Sequence, residues 1–246
     1  MNLIVDIGNS CGKYAIFSEG YLLERGNDPF GWRTRLDAYP KRGPVTRALL
    51  ACTGEPPAGL REELQATFAF FREASTSLPL PISLDYETPA TLGIDRVAAC
   101  VAGVALYPGR DLLIVDAGTA LTFNFVSAEG LFLGGNISPG AGMRCWALHE
   151  FTARLPLVGN ICGPPAGAIA KNTRDAIYGG VTHGVYLEIW AYASDFRREH
   201  PAGELLLTGG DSRWLAPALS NHFNINENLV MIGLNKILEY QITNEK

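Results

Sequence analysis

The stretch IVDIGNSCGK, residues 4–13, puts an aspartate, a glycine, two small polar residues and a lysine into one bend after a short apolar run. The stretch IVDAGTALTF, residues 114–123, repeats its beginning 110 residues later. Each stretch predicts a buried strand that ends near the aspartate, a tight turn at D-x-G and a second strand that returns. Two such copies indicate that the fold contains the same unit twice.

The likeness of the two copies extends well beyond these ten residues. LIVDIGNSCGKYAIFSEGYLL (3–23) aligns without a gap with LIVDAGTALTFNFVSAEGLFL (113–133), and 8 of the 21 positions are identical. Register that holds over three predicted strands favours an ancient duplication over a chance likeness of two β-meanders. In this alignment Lys13 lies over Phe123 and Asn9 over Thr119, so only the first copy keeps a cation after its turn.

The remaining segments complete two α/β halves. We predict strands at 46–54 and 80–86, helices at 56–71, 93–107, 141–155, 172–200 and 228–240, and a strand, a Gly-Gly turn and a helix in succession at 204–219. The predicted domains are an N-terminal ribonuclease-H-like domain at 1–111 and a C-terminal one at 112–246, with the option that the last helix packs across this boundary.

Glycines mark two further features of the second half. Gly179, Gly180 and Gly184 interrupt the long helix at 172–200. Each lowers helix stability by up to ~1 kcal/mol relative to alanine, so we expect close packing of a backbone or a ligand there. The Pro/Gly segment at 159–172 is interpreted either as a lid or as a plain connection.

Composition excludes several classes of protein. The chain of 246 residues is 47% hydrophobic and 18% charged, which is typical of a soluble globular protein. Its net charge of −5 and its lack of a Lys/Arg run argue against a nucleic-acid partner. Asp6 close to the N-terminus argues against a signal peptide, and no apolar run is long enough for a membrane span.

Cysteine and histidine usage points to a reduced, cytoplasmic protein without a zinc site. No CxxC pair and no HExxH spacing is present. The odd number of cysteines argues for free thiols. They are Cys11, Cys52, Cys100, Cys145 and Cys162.

The first D-x-G turn has the parts of a phosphate site. The N–H groups of Gly8, Asn9 and Ser10 can point at phosphoryl oxygens, and Lys13 adds a point charge. Asp6 could hold a hydrated Mg²⁺. An isolated match of this kind is more often a plain turn, and the second copy is what strengthens the prediction.

A third glycine-rich turn, LLLTGGDS (205–212), follows a strand and precedes a helix. Its glycines could admit a flat ring or a ribose, and Asp211 could cap the helix. A plain connection explains the same pattern equally well. The chain contains no GxxxxGK[ST], which excludes a P-loop.

These motifs resemble the actin and sugar-kinase superfamily of ATP-binding proteins, and within it the type III pantothenate kinase family. The resemblance spans nearly the whole chain, and G-x-D-R before a helix is its most specific element. Its matching stretches are DIGNSCGK (6–13), YETPATLGIDR (86–96), DAGTALT (116–122), GGNISPG (134–140), NT (172–173) and TGGD (208–211).

The resemblance implies an α/β fold of two duplicated ribonuclease-H-like domains with ATP in the cleft between them. It implies transfer of the ATP γ-phosphate to the primary hydroxyl of pantothenate, which gives 4'-phosphopantothenate, in the first step of coenzyme A biosynthesis. It also implies a cytoplasmic homodimer that requires Mg²⁺ and either K⁺ or NH₄⁺.

The resemblance also assigns site residues by position. Asp95 is the proton acceptor, Asp116 binds the monovalent cation, and Asp6 is the Mg²⁺ residue, through water. The ATP site comprises Asp6, Ile7, Gly8, Asn9, Ser10, Cys11, Gly12, Lys13 and Thr119. The pantothenate site comprises Tyr86, Gly93, Ile94, Asp95, Arg96 and Thr173. Ile94 replaces a usual alanine, and Asn124 stands where an aspartate is frequent.

Physical chemistry is consistent with the assigned roles of Asp95 and Arg96. In phosphoryl transfer the alcohol loses its proton late, so a well-placed carboxylate suffices as base. Arg96 offers a planar fork for the substrate carboxylate, and helix geometry points the two side chains about 100° apart. Without the family pattern, an exposed pair at a helix start is the preferred interpretation.

Three alternative functions share this fold. The chain could be a non-catalytic regulator, against which the presence of Asp6, Lys13, Asp95 and Arg96 argues. It could phosphorylate another small hydroxy acid, which a substrate panel distinguishes. A chaperone-like ATPase would need a substrate-binding domain for which 246 residues leave no room.

Overall fold

The computed structural model describes residues 1–159, 161, 163 and 169–244. Cys162 and half of the Pro/Gly segment at 159–172 lie outside these residues. Short 3₁₀ helices lie at Gly31–Thr34, Pro40–Arg42 and Pro89–Thr91. The strands are β1 (Asn2–Ile7), β2 (Gly12–Ser18), β3 (Tyr21–Gly26), β4 (Arg47–Cys52), β5 (Phe70–Glu73), β6 (Ser83–Leu84), β7 (Leu112–Ala117), β8 (Ala120–Val126), β9 (Leu131–Pro139), β10 (Glu204–Thr208) and β11 (Asn224–Ile225). The α-helices are α1 (Leu60–Thr67), α2 (Ile94–Leu106), α3 (Ala141–Glu150), α4 (Thr173–Glu199), α5 (Ser212–Leu219) and α6 (Leu229–Asn244).

Contacts divide the chain into two compact units. The first unit contains residues 1–106 and 229–246, and the second contains residues 107–228. The predicted domains, 1–111 and 112–246, differ from this division at residues 107–111 and at the last helix.

The last helix belongs to the first unit because it packs closely on α2 and β1. A Cβ added at Gly233 of α6 would lie 1.7 Å from the carbonyl oxygen of Ala98 in α2, so only glycine allows this approach. The amide of Asn2 in β1 donates to the amide oxygen of Asn235 at 2.8 Å, and both side chains are buried. Neither contact is visible in the periodicity of the sequence.

The sheets of the two units share one topology. In the first unit the strand order is β3-β2-β1-β4-β5, and in the second the strands β9-β8-β7-β10-β11 are neighbours in the same order. Both begin with two antiparallel pairs, β1–β2 and β2–β3 or β7–β8 and β8–β9. Both end with two parallel pairs. The predicted duplication and fold class are confirmed.

Three predicted elements are shorter than expected. The helix predicted at 56–71 ends at Thr67, and Phe70–Glu73 instead forms β5, parallel to β4. The buried Phe68 ring packs 5.6 Å from Trp32, so core packing and sheet pairing override the helical pattern here. The prediction at 141–155 ends at Glu150, shortly before Pro156, and that at 80–86, which contains Pro81, narrows to Ser83–Leu84.

Helix α4 stays continuous through its glycines. It packs on the sheet of the second unit, where the Tyr192 ring stacks on Phe123 with 3.8 Å between centroids. Gly184 faces Arg144, whose Nη1 would lie 3.7 Å from an added Cβ, and Gly180 borders open space. No described helix combines the length and the hydropathy that crossing a membrane requires.

Candidate active site

The turn between β1 and β2 is closed by its own backbone. The N–H of Gly8 donates to the carbonyl oxygen of Cys11 at 3.1 Å. The expectation that this N–H points at a phosphoryl oxygen is therefore wrong for this structure. Asn9, Ser10 and Cys11 are exposed, so the tip of the turn faces solvent.

Two glycines allow neighbouring segments to support this turn. A Cβ at Gly54, just after β4, would lie 2.8 Å from the carbonyl oxygen of Gly8. A Cβ at Gly12 would lie 2.8 Å from the side chain of Pro29. The N–H groups of Thr53 and Gly54 also donate to the carbonyl oxygen of Ile7, at 2.9 and 3.1 Å. Sequence analysis missed the role of Gly54, although a glycine directly after a strand was its signal.

Asp6 and Lys13 face each other across the first two strands. They are directly opposite in the antiparallel β1–β2 ladder, so their side chains lie on the same face of the sheet. The pKa of Asp6 is raised to about 6, mainly by burial; the charge of Lys13 lowers it and the charge of Asp95 raises it, and both are included in this value. The first unit thus brings together the predicted phosphate cation, the predicted Mg²⁺ residue and the predicted base.

Asp95 sits in the first turn of α2 and folds back on the helix start. Its Oδ1 accepts a hydrogen bond from the backbone N–H of Arg96 at 2.8 Å. A Cβ at Gly93 would lie 2.5 Å from the same oxygen, so a side chain there would displace the carboxylate from this position.

The other predicted pantothenate residues of this unit differ in exposure. Tyr86 and Asp95 are half-buried, whereas Ile94 and Arg96 are each only 5% exposed. Arg96 is therefore a recessed charge, which does not fit the interpretation of an exposed pair at a helix start. The neighbours Asp95 and Arg96 do differ in environment, as their angular separation on the helix predicts.

The second D-x-G turn is one residue shorter than the first. The N–H of Gly118 donates to the carbonyl oxygen of Ala120 at 3.0 Å. As a result Asp116 lies opposite Thr122, and not opposite Phe123 as the gapless alignment implies. The following hairpin compensates with one extra residue, which explains why the sequences regain register.

Two further glycine segments meet at this second turn. A Cβ at Gly140 would lie 2.1 Å from the carbonyl oxygen of Gly118, and the N–H of Gly140 donates to the carbonyl oxygen of Thr119 at 3.1 Å. Gly209 has φ +90°, and its added Cβ would lie 2.4 Å from Oδ1 of Asp116. The carboxylate of Asp116 therefore lies against the backbone of Gly209, and Thr119 in the same turn is exposed.

Packing accounts for Gly209 of the T-G-G turn, whereas Gly210 borders open space, so a flat ligand at this turn stays a prediction. Gly209 is needed for its positive φ and its close approach to Asp116. Asp211 is at the N-cap position of α5 but makes no side-chain capping bond, so that prediction is wrong. Instead the hydroxyl of Ser212 donates to the carbonyl oxygen of Gly209 at 2.6 Å.

Thr173, the predicted pantothenate residue of the second unit, borders an open cleft. It is the exposed first residue of α4, after Asn172, whose side chain accepts from the N–H of Asp175 at 2.9 Å. The cleft has a volume of about 650 Å³. Its lining is mainly apolar and includes Leu148, Phe151, Thr173, Ile177, Gly180 and Val181.

The described residues contain no group of three or more histidine, cysteine or acidic side chains that could hold a metal ion. A dedicated protein cage for a metal is therefore not available among them. One or two carboxylates such as those of Asp6 and Asp95 suit a hydrated Mg²⁺, which prefers oxygen ligands and keeps several waters. The oxygen-rich surroundings of Asp116 suit a hard monovalent cation.

Comparison with known proteins gives consistent results. The family model described as type III pantothenate kinase matches residues 2–194. A type III pantothenate kinase of Porphyromonas gingivalis is 38% identical over 242 residues, with 98% of this chain and 99% of the relative covered. A crystal structure described as a Baf family transcriptional activator from Campylobacter jejuni has TM-score 0.59 and 25% identity, with 98% of this chain and 99% of that chain covered. A structure described as a 2-dehydro-3-deoxygalactonokinase from Sinorhizobium meliloti has TM-score 0.53, 14% identity and coverage of 98% and 99%, which concerns the fold alone.

Proposed function

This chain belongs to the type III pantothenate kinase family, and we propose that it transfers the γ-phosphate of ATP to the primary hydroxyl of pantothenate. The product is 4'-phosphopantothenate, and the reaction begins coenzyme A biosynthesis. The observation that carries the proposal is the grouping of Asp6, Lys13 and Asp95 within the first unit. That grouping joins the first D-x-G turn to the G-x-D-R helix start.

We assign the phosphate end of ATP to the first turn. Lys13 supplies a point charge, and the exposed tip at Asn9, Ser10 and Cys11 offers polar groups to phosphoryl oxygens. Gly54 packs against the backbone of Gly8, and Pro29 packs against Gly12. The two ends of the turn are therefore packed, while its polar tip is exposed. Ile7, Gly8 and Gly12 complete this segment, and Thr119 serves ATP from the second turn.

Asp95 is assigned as the proton acceptor. Phosphoryl transfer has a loose transition state, so the substrate hydroxyl loses its proton late and a carboxylate within reach is sufficient. The hydrogen bond from the backbone N–H of Arg96 orients the Asp95 carboxylate, and Gly93 leaves room for it. Arg96 then binds the carboxylate of pantothenate, with Tyr86, Ile94 and Thr173 as further contacts.

The cations are assigned by the chemistry of the donor groups. Asp6 holds Mg²⁺ through water, and Asp116 holds K⁺ or NH₄⁺. When bound, these ions neutralise the negative charge of the ATP phosphates. Without them, Lys13 is the one group assigned to that task. Asp116 lies opposite Thr122 in its ladder, whereas Asp6 lies opposite Lys13.

We also propose that the protein is a homodimer that uses the second unit. Large apolar side chains are exposed on neighbouring elements of this unit, an arrangement that marks interaction surfaces. Trp146 is 52% exposed and Phe151 is 79% exposed, and their rings pack edge to face at 6.3 Å. Further exposed apolar side chains in this unit are Leu133, Ile137, Met143, Leu157, Ile169 and Leu187.

An ADP-release assay tests the reaction directly. Purified protein with Mg·ATP and pantothenate should release ADP and form a phosphate monoester, and replacing K⁺ by Na⁺ should lower the rate. A panel of other hydroxy acids serves as the control for substrate class. If another hydroxy acid stimulates ADP release and pantothenate does not, that hydroxy acid is the substrate instead of pantothenate. Full activity with Mg²⁺ as the sole cation would remove the monovalent site at Asp116.

A further inference from the structure

The carboxylate of Glu24 is the centre of a polar cluster beside the first D-x-G turn. We define the Glu24 cluster as Tyr14, Glu24, Arg35 and Tyr39. Oε1 of Glu24 accepts from the hydroxyl of Tyr14 at 2.6 Å. Oε2 accepts from Nε and Nη2 of Arg35 at 2.8 and 2.5 Å, and from the hydroxyl of Tyr39 at 2.6 Å. One side chain on β3 therefore ties β2 to the segment that follows the first 3₁₀ helix.

This cluster is firmly held. The Glu24 side chain is 19% exposed, and the ring of Tyr14 is buried. The bonds from Arg35 lower the pKa of Glu24 to about 2, so its carboxylate is charged at any working pH. Charged hydrogen bonds of this kind are stronger than neutral ones, and losing the charge leaves four donor groups, from three side chains, facing a poorer acceptor.

The cluster reaches the residues on both sides of Lys13. Tyr14 follows Lys13, and its ring fills the space that a Cβ at Gly31 would need, 2.7 Å from Cε1. Gly12 precedes Lys13 and packs on Pro29 in the same loop. Residues 12 and 14 are thus held by one loop, 27–31, whose far end leads to Arg35. Lys13 is the residue between these two contacts.

We propose that Glu24 is a positioning residue for Lys13: by tying Tyr14 to Arg35 and Tyr39, it fixes the backbone that aims the ammonium group at the ATP phosphates. The inference deepens the proposed function and rests on it, because the Lys13 ammonium is assigned to ATP there. The pantothenate residues Gly93, Asp95 and Arg96 belong to α2 and its start, so the effect of Glu24 is specific to the nucleotide.

The test is calorimetric binding of Mg·ATP without any acceptor substrate. Glu24→Gln keeps the shape of the side chain and removes its charge, and misplacement of the lysine should weaken Mg·ATP binding about 5- to 50-fold. KM for pantothenate should stay near the native value. Tyr14→Phe, which removes only the hydroxyl, should show the same selectivity to a smaller degree and serves if Glu24→Gln fails to fold.

Glu63→Gln is the matched control. Arg33 binds Glu63 through Nε at 2.7 Å and also through Nη2, but this ion pair joins the 3₁₀ helix to α1 instead of to β2. Glu63→Gln therefore removes a comparable ion pair of the same unit. It should lower the melting temperature modestly and leave Mg·ATP binding native.

A double-mutant cycle decides whether Glu24 acts through Lys13. In a Lys13→Met background, adding Glu24→Gln should change the Kd for Mg·ATP by less than about twofold, because the group being positioned is already absent. A full effect in that background would overturn the proposal, as would a Glu24→Gln protein with a lowered melting temperature and native Mg·ATP affinity. Failure of the proposed function gives a different result from failure of the Glu24 proposal: the native protein would bind Mg·ATP but would not phosphorylate pantothenate.

Discussion

Asp6 and Lys13 stand directly opposite each other on β1 and β2, whereas Asp116, the equivalent aspartate of the second unit, stands opposite Thr122. The duplicated sheet thus places a lysine opposite the aspartate of the first unit and a threonine opposite that of the second. The lysine is what favours the first turn for the ATP phosphates in the proposed function.

Lys13→Met should weaken the use of ATP and leave the fold intact. A charged hydrogen bond to phosphate contributes roughly 1.5–3 kcal/mol, so kcat/KM for ATP should fall about 10- to 100-fold. Lys41→Met, which changes an exposed lysine of the same unit, is the control. Native kinetics for Lys13→Met would contradict the phosphate assignment.

Asp95→Asn should lower kcat with little change in the affinity for pantothenate. The amide keeps the size and the hydrogen bond from Arg96 but cannot accept the substrate proton, and general-base catalysis contributes ~10²–10⁴ in rate. Steady-state kinetics provides the measurement, and Asp85→Asn, at an exposed aspartate of the first unit, is the control.

Arg96→Met should give the opposite kinetic pattern to Asp95→Asn. It removes the partner of the substrate carboxylate and keeps much of the apolar stem, so KM for pantothenate should rise more than kcat falls. Pantothenol lacks that carboxylate and should be affected little by the change. Equal losses with both substrates would reject the role of Arg96.

The pKa of Asp6 should respond to its two charged neighbours in opposite directions. Because Asp95 raises it and Lys13 lowers it, Asp95→Asn should lower the pKa from about 6 and Lys13→Met should raise it. Carboxyl-carbon NMR in Mg²⁺-free buffer measures both shifts. Shifts in the same direction for the two variants would show that the carboxylates are not coupled as described.

The same raised pKa predicts how stability depends on pH. The folded state binds a proton at Asp6 that the unfolded state has already lost between about pH 4 and pH 6. This contribution to stability is present below the unfolded pKa and is lost as pH rises through the folded pKa. Asp6→Asn should therefore raise the melting temperature more at pH 7 than at pH 4, relative to the native protein.

Cys11 offers a chemical probe of the ATP site. It is exposed at the tip of the first turn, whereas Cys100 and Cys145 are buried and Cys52 is half-buried. Saturation of the site at ten times the Kd should slow alkylation of Cys11 by iodoacetamide about tenfold. Peptide mapping measures the alkylation of Cys11 separately from that of the other cysteines. At the same ATP concentration, the Lys13→Met protein should show weaker protection of Cys11.

Trp146→Glu should shift the proposed homodimer towards monomer. A charge placed in an apolar interface is costly to bury, so light scattering after size exclusion should give a smaller mass at low micromolar concentration. Tyr21→Glu is the matched control, because Tyr21 is 73% exposed but lies in the first unit. A monomeric native protein would reject the dimer itself.

Much of the fold and part of the site followed from local pattern. The D-x-G repeat predicted two like sheets because strand alternation and turn chemistry are local properties. The G-x-D-R stretch pointed to Asp95 and Arg96, and the structure adds the close approach of the Asp95 carboxylate to Gly93. Sequence therefore determined the fold class, the duplication and the residues at the first turn.

Only the tertiary structure decided which segments meet. It assigned the last helix to the first unit through Gly233, it set Asp116 opposite Thr122, and it made Phe70–Glu73 a strand. The first and the last depend on contacts between residues far apart in the chain, and the second depends on the register of a hairpin. Close approach, register and pairing are properties of two segments at once, so neither segment carries them alone. For the same reason, the Glu24 cluster that flanks Lys13 became visible only when β2, β3 and the segment after the first 3₁₀ helix were brought together.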